Sequence, residues 1–109
     1  MSTEGPITIL FYQTAKPELV DEFVKWNIEH ARATRAEDEG CITFILYQRQ
    51  DDPREFVLLE QWRDRASLEA HIARMQRVYG PPPPGKKGLP AALLDFLEKW
   101  QGVRVHPVT

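Results

Sequence analysis

Cysteine is nearly missing: Cys41 stands alone in 109 residues. An intrachain disulfide is thereby excluded, and the chain fits a reducing compartment such as the cytoplasm. Long apolar runs are missing as well. The strongest, Ile42 with Phe44 to Leu46 and Phe56 to Leu59, fall far short of the roughly 20 residues that a bilayer-crossing helix needs. The opening Met1-Ser-Thr-Glu-Gly-Pro6 has no positive stretch and no apolar core, so no secretory leader is expected. Charge of one sign is not in excess, with 14 Lys and Arg against 16 Asp and Glu and a net charge of −2. A clustered basic face is what nucleic acid requires, so neither nucleic acid nor a membrane is an expected partner. No G-x-G-x-x-G, H-E-x-x-H or C-x-x-C motif occurs, which removes dinucleotide, zinc-protease and iron–sulfur readings. The run Gly80-x-x-x-x-Gly85-Lys86 has phosphate-loop spacing, but Pro81 to Pro84 delete four of the backbone N–H groups that cradle phosphate. Lys87 also occupies the place of the expected magnesium-binding Ser or Thr.

What remains is the pattern of one globular domain over residues 1–109, 42% hydrophobic. Ile7 to Thr14 is β-branched and aromatic and predicts a first strand. Pro17 suits a helix start, and the spacing of Leu19, Val20, Phe23, Trp26, Asn27, His30, Ala31 and Thr34 predicts a helix to about Asp38. Gly40 is expected to supply its left-handed stop. Cys41 to Gln50 and Glu55 to Trp62 predict a hairpin around Asp51-Asp52-Pro53-Arg54. Asp64 caps a second helix to about Val78, with Leu68, His71, Ile72, Met75 and Val78 on one face. After a stiff Pro- and Gly-rich loop over 80–90, Leu93, Leu94, Leu97 and Trp100 predict a short third helix from Pro90 to about Trp100, ended by Gly102. Val103 to Val108 then forms the last strand, with Pro107 confining it to an edge. The order is β-α-β-β-α-β, an α+β fold with an extra short helix before the last strand.

The strands are apolar on both faces. Ile7, Ile9 and Phe11 oppose Leu10 and Tyr12; Ile42, Phe44 and Leu46 oppose Cys41, Ile45 and Tyr47; Phe56, Leu58 and Trp62 oppose Val57 and Leu59. A half-solvated antiparallel sheet alternates polar with apolar residues instead. Right-handed crossovers put both long helices on one face, so the other needs a cover, and a second copy packed face to face supplies it. The alternative cover is the short third helix folded beneath the sheet.

The chemistry-bearing residues are few. His30 and His71 lie on the inward stripes of the two helices and converge on the space between helices and sheet. Each is either a core histidine bonded to a carbonyl or to a carboxylate such as Glu60, or a member of a shared site. With Glu60 the pair would make a metal triad. Asn27 is a second polar residue on the buried stripe, and Trp62 and Tyr47 are either pocket walls or plain core. His106 beside Pro107 is expected to be solvated. So is the Glu37-Asp38-Glu39 cluster, with Arg32 and Arg35 as surface partners.

Two segments carry a family resemblance. Arg35-Ala36-Glu37-Asp38-Glu39-Gly40-Cys41, followed by an aromatic strand, resembles the E-x-G-C segment of antibiotic biosynthesis monooxygenase domains. Leu59-Glu60-Gln61-Trp62-Arg63-Asp64, then Leu68-Glu69-Ala70-His71, is similar to their E-x-W signature followed by A-H in a helix. The resemblance spans about Ile7 to Tyr79, and the proline loop departs from it. It implies a homodimeric α/β barrel of ferredoxin-like protomers, with the family's Trp and His falling on Trp62 and His71. It also implies a cofactor-free oxidation of quinols or polycyclic phenols by O2. Other members bind or degrade haem, isomerise lactones or handle signalling molecules, so haem is an alternative ligand and a non-catalytic stress-response dimer an alternative role. Triplet O2 reacts poorly with closed-shell molecules, yet an electron-rich phenolate can pass it one electron. That reaction asks for a base, His71 or His30, in a dry apolar pocket. Trp62, Tyr47, Asn27 and Glu60 are the expected substrate contacts.

Overall fold

The β-branched and aromatic segments, the two amphipathic stretches and the turn between the hairpin strands all form where the side-chain patterns place them. The computed structural model describes residues 5–109, so the reading of the first residues as free of a leader falls partly on 1–4, outside the described residues. Strand β1 (Ile7–Ala15) leads through a 3-10 turn at Pro17–Leu19 into helix α1 (Val20–Glu37). The hairpin is β2 (Cys41–Gln48) and β3 (Glu55–Trp62); α2 (Arg65–Tyr79), a single turn α3 (Ala91–Leu94) and β4 (Leu97–Val105) follow. Asp64 caps α2 by accepting the Ser67 N–H at 2.8 Å. The four strands among the described residues form one antiparallel sheet in the order β2-β3-β1-β4, the ferredoxin-like arrangement.

Register decides what each face carries. Ile9 pairs with Glu60, Phe11 with Leu58 and Gln13 with Phe56, and this face holds the helices and the core of Phe23, Phe44, Trp62, Met75 and Leu93. Phe23 anchors the far end through an edge-on contact to Phe56, ring centroids 4.9 Å apart. A bulge between Cys41 and Thr43 changes the parity of β2, so that Cys41 pairs with Trp62 while Ile42 is pushed out to solvent. On the opposite face Ile45, Leu59, Leu10 and Val103 form one row, and Tyr47, Val57 and Tyr12 the next. Within this chain that face is open: Tyr12, Ile45 and Tyr47 are exposed.

Two expectations change. The third helix stops at Leu94, and Leu97 and Trp100 belong to β4 rather than to a helix. The Leu93-Leu94-Leu97-Trp100 spacing is helical, but long-range pairing overrides it. β4 lies along β1 from Thr8–Val105 to Ala15–Leu97, and the Lys16 N–H bonds Phe96 O at 2.9 Å. Gly102 consequently sits inside a strand, facing Phe11. Gly40 is the second correction, because its backbone is not left-handed; among the described residues only Gly80, Gly85 and Gly88 have positive φ. Gly40 is needed for space: a Cβ there would lie 1.9 Å from Ser67 Oγ and 2.2 Å from Ser67 Cβ. Gly40→Ala is expected to destabilise the domain by about 1–3 kcal/mol in urea denaturation, with Gly40→Ala/Ser67→Gly recovering part of the loss. An undisturbed midpoint in the single variant would contradict this packing.

Candidate active site

Between α1, α2 and the sheet lies a cavity of about 260 Å³. Its floor is Ile9, Phe11, Gln13, Phe44, Leu58 and Glu60. One wall comes from Trp26, Asn27 and His30 on α1, and the other from Leu68, His71, Ile72 and Met75 on α2. Leu89 and Leu93, just beyond the proline loop, close one side, while Trp100 and Gly102 of β4 form the edge. Among the described residues neither Lys nor Arg lines the cavity.

His71 is fixed from behind. Its Nδ1 lies 2.6 Å from Asp38 Oδ2, and Asp38 also accepts Arg74 Nε at 2.7 Å and Arg74 Nη2 at 3.0 Å. Burial opposes ionisation of Asp38, but the bonds from Arg74 and His71 outweigh it and hold its carboxyl below the usual range. An ionised carboxylate only accepts, so Nδ1 carries the proton. The neutral ring then leaves Nε2 as a bare acceptor on a side chain that lines the cavity. Burial lowers the pKa of His71 against the pull of Asp38, so the imidazole rests neutral. Trp62 packs on its ring at 4.6 Å.

His30 is held differently. Trp26 stacks on it at 4.7 Å, and Nδ1 lies 3.0 Å from the Tyr79 hydroxyl. Its ring is 5.6 Å from that of His71. Burial first, then repulsion from the charge His71 carries when protonated and from that of Arg74, drops its pKa from 6.5 to about 3. Above pH 6.5 neither the folded nor the unfolded chain holds this proton, and His30 adds no pH dependence. Between about 6.5 and about 3 the unfolded chain binds the proton and the folded chain does not. Stability therefore falls as pH drops, by at most about 1.4 kcal/mol per pH unit from this residue. The urea midpoint is expected to decline through that window and to decline less steeply in His30→Gln; equal slopes would refute the assignment.

Glu60 lies under the histidines, 8% exposed, and accepts the Trp62 indole N–H on Oε1 at 2.8 Å. Burial raises its pKa, with the indole bond opposing. Among the described residues no cation pairs with it. Nor does any trio of His, Cys, Asp or Glu among them stand as a metal would require, so His30, His71 and Glu60 do not form the metal triad. Asn27 reaches the cavity while donating to Phe23 O at 2.8 Å.

The six anticipated residues thus separate. His30, His71, Asn27 and Glu60 meet in one cavity. Trp62 is 0% exposed and stands behind His71 as a support rather than a wall. Tyr47 is 49% exposed on the opposite face of the sheet, where its pairing with Val57 puts it. Asp38 is a correction: it is a buried partner and not part of a solvated acidic face. Arg32 instead pairs with Glu29, and Arg35 donates to Phe44 O. Asp38, Arg74 and Tyr79 escaped the sequence reading. The available signal was Arg74 three residues after His71 on an inward stripe, since a buried Arg demands an acidic partner.

The sequence pattern of the antibiotic biosynthesis monooxygenase family matches residues 6–75. Uncharacterized protein sll1783 of Synechocystis is 29% identical over 69 residues, 63% of this chain, and the chain spans only 46% of that protein's length. The "Putative monooxygenase YcnE" of Bacillus subtilis is 32% identical over 68 residues, 60% of this chain and 67% of its own. Among solved structures, PA3566 from Pseudomonas aeruginosa superposes with a TM-score of 0.70 at 22% identity, covering 100% of both chains, a likeness of fold. Among the described residues no helix is long and apolar enough to cross a membrane. With its signatures, its sheet order and its helix-borne histidine over that sheet, the chain belongs to the antibiotic biosynthesis monooxygenase family.

Proposed function

We propose that this protein is a cofactor-independent monooxygenase acting on an electron-rich aromatic, a quinol or polycyclic phenol. The observation that carries the reading is His71: a neutral imidazole with Nδ1 tied to an ionised carboxylate, its Nε2 free, in a mostly apolar chamber. Nε2 accepts the phenolic proton as the ring loses its first electron to O2. Proton and electron leave together, so a weakly basic imidazole suffices. For a quinol the products are a hydroxyquinone and water. One oxygen atom enters the ring and the other leaves as water with two hydrogens from the substrate, so no outside reductant is consumed. Asp38 stabilises the imidazolium while it exists. His30, neutral throughout, and Glu60 bond the substrate oxygens; apolar walls keep out water that would quench the radical pair.

The relative named a monooxygenase supports the reaction class. The reading also includes a homodimer, in which a second copy covers the row of Ile45, Leu59, Leu10 and Val103. Sedimentation at micromolar concentration is expected to give twice the chain mass, and a stable single subunit would refute that part. For the reaction, O2 uptake is followed with a panel of quinols and anthrones in a metal chelator, with anaerobic controls. Consumption of one O2 per substrate above the spontaneous rate is expected. A flat trace across the panel would overturn the proposal.

A further inference from the structure

Gln13 stands on the cavity floor, 2% exposed. Its amide makes no hydrogen bond with any described residue, whereas Gln48 and Gln61, on the same sheet, are engaged with Pro53 O and with Thr8 and Thr43. No buried side-chain N or O atom among the described residues lacks a partner, so this amide opens onto the cavity, and a ligand that displaces water from it has to replace that hydrogen bond. A purely apolar ligand would leave it unpaired. Glu60 repeats the pattern: Oε1 takes the Trp62 N–H, and the other carboxyl oxygen has no protein partner among the described residues.

Register measures the separation of these two groups. Glu60 pairs with Ile9, and Gln13 lies four residues farther along β1, beside Phe56 and Trp100. At roughly 3.3 Å per residue they stand about 13 Å apart along the strand. With both strand side chains standing roughly perpendicular to the sheet, the groups keep that backbone spacing, and hydrogen bonds of roughly 2.8 Å at each end leave about 7 Å between ligand oxygens. A single benzene ring is too short for that span, and two fused rings fit it. His30 and His71 are at the Glu60 end, since Phe44, which pairs with Glu60, packs against both rings. The Gln13 end holds no titratable group among the cavity residues, so it binds without reacting.

We infer that Gln13 is a specificity-determining residue that hydrogen-bonds the distal oxygen of an uncharged, fused-ring ligand whose reacting oxygen sits at the Glu60 and histidine end. This rests on the cavity being the ligand site of the proposed reaction and adds the shape and polarity of what it takes. The absence of Lys and Arg from the lining disfavours a carboxylate or sulfonate at the distal position, because nothing there would offset its desolvation.

The probes are 2,6-dihydroxynaphthalene, with an oxygen at each end, and 2-naphthol, which lacks the second. Both are titrated anaerobically by calorimetry against the wild-type protein and Gln13→Leu, with Gln13→Met as the variant closest in length should Leu fail to fold. The wild type binds the diol more tightly. The variant loses roughly 3–10-fold in affinity for the diol and loses none for 2-naphthol. Equal loss for both ligands, no loss for the diol, or no binding of either ligand to the wild type overturns the inference. Because binding is read without turnover, diol-selective binding with no O2 uptake would instead count against the oxygenase reading alone.

Discussion

His71→Gln lowers the rate of O2 consumption roughly 10²–10⁴-fold while KM for the aromatic changes little. Glutamine keeps a side-chain N–H to offer Asp38 and fills a similar volume, so the support behind the residue survives. What disappears is a ring nitrogen with a free lone pair on the cavity side and a positive charge to be accepted during turnover. His30→Gln is expected to weaken binding more than turnover. A nitrogen held near a pKa of about 3 is too weak a base at neutral pH, and its bond to Tyr79 fixes it as a hydrogen-bonding group. A His71→Gln rate within a few-fold of wild type, measured with an oxygen electrode at saturating substrate, would remove the base from the scheme.

The second large effect is structural. Asp38→Ala strips the acceptor from both His71 Nδ1 and Arg74, leaving a guanidinium that is 9% exposed on its side chain without its carboxylate. Removing one partner of a buried pair costs about 3–5 kcal/mol. Against a total of roughly 5–15 kcal/mol for a domain, the variant sits near its unfolding threshold. Urea denaturation checks the magnitude. Asp38→Ala/Arg74→Leu is expected to be more stable than Asp38→Ala alone, since the stranded charge is gone. A cost below about 1 kcal/mol, the value for an exposed carboxylate, would show that the cluster is solvated after all.

The contrast between Asp38 and His71 shows what a sequence reading reaches. His71 and His30 were legible because each falls on an apolar stripe with helical period, and two such stripes over one sheet must converge. The paired strands and long helices were legible for the same reason, as was the exposed second sheet face. Asp38 was not, because it sits between Glu37 and Glu39 at a helix end, and local pattern assigns all three to water. Its burial comes from Arg74, 36 residues away. Trp100 misled in the other direction. Its spacing from Leu93, Leu94 and Leu97 has the helical period, and only pairing with β1 reveals it as a strand residue. Tyr47 has the chemistry of a pocket residue, but its parity with Ile45 puts it on the other face. Gln13 sits in a strand pattern with no local sign of a site, and only the packing of the helices over the sheet puts it on a cavity floor.

The claim on which the rest depends is that the bare nitrogen of His71 meets the reacting oxygen. A crystal structure of the protein grown anaerobically with 1,4-dihydroxynaphthalene tests it directly. The expected result is the quinol inside the cavity, one hydroxyl roughly 2.6–3.2 Å from His71 Nε2 and Nδ1 still on Asp38. A quinol bound elsewhere, or lodged in the cavity with both hydroxyls turned away from His71, would contradict it.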